Sequence, residues 1–63
     1  MNGKALKIER IKADISQRKM AEAMGVTPAI VSMWERERVN IPEDMEKLYL
    51  KKLRELKEKS YEN

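Results

Sequence analysis

Apolar positions fall in four groups along the chain, and the spacing inside each group predicts a helix. Leu6, Ile8, Ile11 and Ile15 mix with Lys7, Glu9, Arg10 and Lys12 at helical intervals, so a first helix is expected from about Lys4 to Ala13. Leu6 and Ile11 are its expected core residues, and Met1 to Lys4, carrying Asn2 and Gly3, is expected to be a short mobile arm. Asp14-Ile15-Ser16 connects to the next helix, with Ser16 as its N-cap. From Gln17 to Met24, the residues Met20, Ala21 and Met24 give one buried stripe. Gly25 follows where a helix leaves the right-handed region, because glycine turns left-handed without a Cβ clash. Thr27-Pro28 then signals a new start: the hydroxyl can accept from an orphan amide, and proline has no amide to leave unpaired at the first helical position. Val26, Val31 and Trp34 are the expected core of this third segment, with Ala29, Ile30, Ser32 and Met33 on or near its other side. After a polar loop from Arg36 to Ile41, Pro42 is expected to open a long last helix, its first turn carrying Glu43, Asp44 and Glu46 at the positive end of the macrodipole. Met45, Leu48, Tyr49, Leu53 and Leu56 form its stripe, and Glu43 with Lys47, Lys51 with Glu55 and Arg54 with Glu58 are expected pairs on its exposed faces. No turn signal interrupts it before about Lys59, and Ser60 to Asn63 are expected to fray.

The expected fold is therefore all-α, a small four-helix domain spanning residues 1–63 as one unit, with a long C-terminal helix. Its middle, a helix, a short glycine turn and a second helix, is a helix-turn-helix arrangement. Gln17, Ala21, Gly25, Val26, Thr27, Val31, Ser32, Trp34 and Glu35, with Pro42 after them, resemble the bacterial and phage family of lambdoid repressors and Cro proteins. The resemblance runs from about Ala5 to Leu53 without an insertion. It is specific because the Gln-Ala-Gly spacing is combined with a Ser-x-x-Glu that ends the second helix. It implies a lambda repressor-like fold and a sequence-specific DNA-binding transcriptional regulator, a repressor of bacterial or phage type, with its recognition helix at about residues 28–36 in the major groove. It also implies that Arg10 and Glu35 form a structural ion pair tying the first helix to the third. Two positions depart from the family pattern. Asp14 stands where a glycine commonly ends the first helix, a mild change because Asp tolerates left-handed geometry. Glu37 stands where the family usually has glycine, so the resemblance does not fix the backbone just after the recognition helix. Many relatives also break the last region into two helices, and a single continuous one would be a further departure.

Charge and composition narrow the chemistry. The net charge of +3 is unevenly placed: residues 1 to 40 hold eight Lys or Arg against five acids, whereas residues 41 to 63 hold six of each. The excess lies in the helix-turn-helix half, as a footprint for phosphate requires. Sixty-three residues without Cys or His offer a core of only a few kcal/mol, no disulfide, no usual zinc ligand set and no histidine base. No Gly-rich phosphate loop and no carboxylate cluster with metal spacing accompanies them, so neither an enzyme nor a cofactor or small-molecule substrate is expected. No apolar run reaches the roughly 20 residues that span a bilayer, and the first residues lack a signal-peptide core. A cytoplasmic protein starting at Met1, with no membrane contact, is the expectation.

Contacts can be assigned within that frame. Gln17, Arg18, Lys19, Arg36, Arg38 and Asn40 are the expected phosphate-contacting residues. Thr27, Pro28, Ala29, Ile30, Ser32 and Met33 are the expected base-contacting residues facing the major groove. Among these no Gln, Asn, Arg or Lys offers a bidentate hydrogen-bond match to a base, so contact with thymine methyl groups from Ala29 and Ile30, together with DNA shape, is the expected route. Two readings fit such a face: a reader of double-stranded DNA, or a protein-interaction module of the same fold, anti-repressor or antitoxin-like, whose apolar face binds another protein. Related regulators bind DNA as two-fold dimers, and the stripe through Leu48, Leu53 and Leu56 is the expected homodimer contact, at least on DNA.

Overall fold

The computed structural model describes residues 1–61, folded as four helices without a strand: α1 (Gly3–Lys12), α2 (Gln17–Met24), α3 (Pro28–Glu35) and α4 (Glu43–Tyr61). Glu62 and Asn63, the end of the stretch expected to fray, lie outside the described residues. α4 runs unbroken two residues beyond its expected end at Lys59, with no division into two helices.

Local capping chemistry sets most of the boundaries. The Ser16 hydroxyl accepts from the Lys19 amide at 3.0 Å and Thr27 Oγ1 accepts from the Ile30 amide at 3.2 Å, each satisfying one of the donors a helix start leaves open. Gly25 ends α2 in the left-handed region at φ 74°, and the Val26 amide returns to the Ala21 carbonyl. Pro28 occupies the first turn of α3. The N-terminal residues are not a free arm: Asn2 caps α1 by accepting from the Ala5 amide at 2.8 Å, and the Met1 α-amino nitrogen lies 2.5 Å from Glu46 Oε1. Pro42 is not the first residue of α4 but stands just before it, its carbonyl accepting from the Glu46 amide.

The core is formed by Leu6, Ile15, Met20, Ala21, Met24, Val31, Trp34, Tyr49 and Leu53. α2 packs on α3 and α4, and α1 packs on α3. Ile11 does not join this core; it is 55% exposed. The buried line of α1 is Gly3, Leu6 and Arg10, three and four apart, and Ile8 and Ile11 fall off that line by the same helical geometry. Gly3 is buried because α1 approaches the end of α3 closely: a Cβ there would lie 1.8 Å from the Trp34 carbonyl oxygen. On α4 the stripe is largely covered by the body of the domain, with Tyr49 and Leu53 buried and Met45, Leu48, Leu50 and Leu56 half-buried against the core. Glu55 pairs with Lys52 at 3.3 Å, three residues away, and not with Lys51; Glu43 pairs with Lys47 at 3.6 Å.

Candidate nucleic-acid interface

A buried polar knot holds α3 in place, and every helix contributes to it. Glu35, at the end of α3, receives Arg10 Nε at 2.8 Å and an Arg10 terminal nitrogen at 2.9 Å in the fork geometry that suits a guanidinium and a carboxylate. The other terminal nitrogen of Arg10 donates to the Ile15 carbonyl at 2.6 Å. Gln17 Nε2 from α2 donates to Glu35 Oε1 at 3.0 Å, and the Tyr49 hydroxyl from α4 donates to Glu35 Oε2 at 2.7 Å. The Leu6 carbonyl lies 3.2 Å from the same hydroxyl, which has one proton and a shorter path to the carboxylate. Among the described residues no buried side-chain nitrogen or oxygen is left without a partner.

Electrostatics follow from that geometry. Burial pushes the Glu35 carboxyl up, but the hydrogen bonds from Arg10, Gln17 and Tyr49 together outweigh it and hold the group below its ordinary value. The bond to Glu35 raises Arg10 against its own desolvation. Burial, reinforced by the anionic acceptor, raises Tyr49 well above the ordinary phenol range. An ionised pair tied to a neutral tyrosine is a structural device, and no proton here is placed for transfer to a substrate. Among the described residues no group of three acids could hold a metal ion.

With the knot and Val31, Trp34 and Glu35 fixing its inner side, α3 turns the opposite side outward. Ala29, Met33 and Arg36 recur at four and three residues and are all exposed. Ile30 and Ser32 lie on the two borders and are half-buried; Ile30 also packs against the core, so only part of it is available to a ligand. Thr27 and Pro28 are exposed at the N-terminal end. Arg18 and Lys19 are exposed in the first turn of α2, and Arg36, Arg38 and Asn40 are exposed at and after the end of α3. None of the four cationic side chains Arg18, Lys19, Arg36 and Arg38 has an ion-pair partner among the described residues. Gln17 is half-buried, with one amide hydrogen committed to Glu35 and a second still available.

The chain beyond α3 turns through Glu37 at φ 60°, where the family usually has glycine, so the backbone keeps the left-handed step despite the side chain. Asp14 does the same at φ 58°. Two supporting residues were not anticipated. Tyr49 was legible only as a core residue, although a phenol in an apolar stripe implies a buried hydrogen-bond partner. Gly3 carried no local signal, since its need for close approach comes from a distant helix.

A helix-turn-helix family model matches residues 6–54. No curated protein and no solved structure matches the chain significantly. The matched span takes in the knot residues Arg10, Gln17, Glu35 and Tyr49 and the whole outward face of α3. With that span covering most of its length, the chain belongs to the Cro/repressor-like, XRE-type helix-turn-helix family of DNA-binding regulators.

Proposed function

We propose that residues 1–63 act as one DNA-binding domain of a cytoplasmic transcriptional repressor, of bacterial or phage type, that lays α3 in the major groove. The observation that carries this reading is the exposed face formed by Thr27, Pro28, Ala29 and Met33, which bears no charge before Arg36, together with the exposed cations Arg18, Lys19, Arg36 and Arg38, none of which has an ion-pair partner among the described residues. Exposed cations suit phosphates, and small apolar groups suit the floor of the groove. Gln17, through its second amide hydrogen, and Asn40 are the neutral phosphate contacts. Ile30 and Ser32 supply the borders of the base-reading surface. Binding is as a homodimer on two half-sites, with the half-buried Leu48 and Leu56 of the α4 stripe as the contact to the second copy, whereas Leu53 is buried in the core of the single chain and takes no part in it.

A duplex selected from a random pool, titrated against competitor DNA, tests this reading. The selected duplex is expected to outcompete unselected DNA at equal salt, with two chains per duplex at saturation. Failure to bind any duplex would overturn the DNA reading and favour a protein-binding module, for which the absence of amide and guanidinium groups in the first two turns of α3 is the supporting observation.

A further inference from the structure

The outward face of α3 lacks the groups that tell one pyrimidine from another by hydrogen bonding. We infer that it reads the C5-methyl group itself, so that thymine and 5-methylcytosine are accepted alike while uracil and unmethylated cytosine are not; this rests on the DNA-binding reading proposed above. In the major groove thymine shows a carbonyl acceptor and a methyl group, and cytosine shows an amino donor in place of the carbonyl. Side-chain amides, guanidiniums and carboxylates distinguish the two by donor and acceptor. Here the exposed positions of the first two turns are Pro28, Ala29 and Met33, preceded by Thr27. Pro28 has no amide hydrogen, Ala29 offers one methyl group, and Met33 is 41% exposed with a flexible thioether suited to irregular apolar contacts. The Thr27 hydroxyl accepts from the Ile30 amide, and Ser32 lies half-buried at the border. Arg36 shares the stripe but stands seven residues beyond Ala29, about 10 Å along the axis.

A surface of this kind gains from burying a methyl group whichever ring bears it. It gains nothing from the exocyclic group next to it, nor from the difference between adenine and guanine across the pair. The exposed cations Arg18, Lys19, Arg36 and Arg38 suit a polyanion, and the C5-methyl is the apolar group that protrudes into the groove of that polyanion.

The test places four pairs in turn at each thymine position of the best duplex recovered from a random pool: T·A, U·A, 5-methyl-C·G and C·G. At one or more positions, thymine over uracil and 5-methylcytosine over cytosine are each expected to tighten binding about fourfold, the two gains agreeing within about twofold. The double substitution Ala29→Gly with Met33→Ala is expected to erase both gains, and a far-ultraviolet circular dichroism spectrum matching that of the parent chain reports that the domain is folded. A gain for thymine over uracil with none for 5-methylcytosine over cytosine would overturn the inference, as would a selected site at which no methyl group matters. Absence of binding to every duplex would instead overturn the proposed function beneath it.

Discussion

A methyl group added to Gly3 would meet the Trp34 carbonyl oxygen at 1.8 Å, and that oxygen is already held by the Glu37 amide at 3.1 Å. Neither atom can swing aside as a flexible side chain would, so α1 must shift on α3. Gly3→Ala is expected to lower stability by about 1 to 3 kcal/mol, the usual cost of overpacking, seen as a lower urea midpoint. An unchanged midpoint would mean that the two helices separate without loss. Glu37 is the opposite case, a side chain held at φ 60° where glycine is at ease. Glu37→Gly is expected to stabilise by about 1 kcal/mol, whereas Glu37→Ala keeps the left-handed strain and is expected to bring no such gain. Equal midpoints for the two variants would show that the turn carries no strain.

At the level of elements, one carboxylate joins four helices. Glu35→Ala leaves the Arg10 guanidinium buried with its main partner gone, and a loss of about 3 to 5 kcal/mol is expected in urea melts. Tyr49→Phe removes a single bond to a charged acceptor that Arg10 and Gln17 still serve, so about 1.5 to 3 kcal/mol is expected. If the tyrosine variant lost as much as the glutamate variant, the guanidinium could not be the dominant partner. Legibility in the sequence divides along the same line. The caps Ser16 and Thr27, the stop at Gly25 and the start at Pro28 depend on chemistry within a few residues, and these boundaries were predicted well. The buried face of α1 was not, because Ile8 and Ile11 are as apolar as Leu6 and only packing decides which line turns inward. Arg10 on the buried line follows from a partner twenty-five residues away, which the family resemblance supplied and periodicity did not. The outward stripe of Ala29 and Met33 was legible as the complement of Val31 and Trp34, whereas the inward packing of Ile30 emerged only with the fold.

For the whole molecule the knot sets a pH window. Glu35 lies below its ordinary 4.5 in the folded chain, so as pH falls through that range the unfolded chain binds more protons and stability declines. Tyr49 lies above its ordinary 10.0, so above about pH 10 the unfolded chain releases a proton that the folded chain keeps, and stability declines again. Urea midpoints are expected to be flat between these limits and to fall on both sides, with Tyr49→Phe losing the alkaline fall; an alkaline fall that persists undiminished in that variant would place its source elsewhere. The same knot ties α3 to the other three helices, and on this depends the proposal that the domain holds phosphates with its exposed cations while α3 meets the bases. The most direct measurement is the slope of log affinity against log salt for the chain and for Arg38→Ala, each on selected and on competitor duplexes. Removing one phosphate contact is expected to weaken both duplexes by the same factor and to shallow the slope by about 0.9, with the preference for the selected duplex intact. A slope near zero for the unmodified chain, or an Arg38→Ala effect confined to the selected duplex, would contradict it.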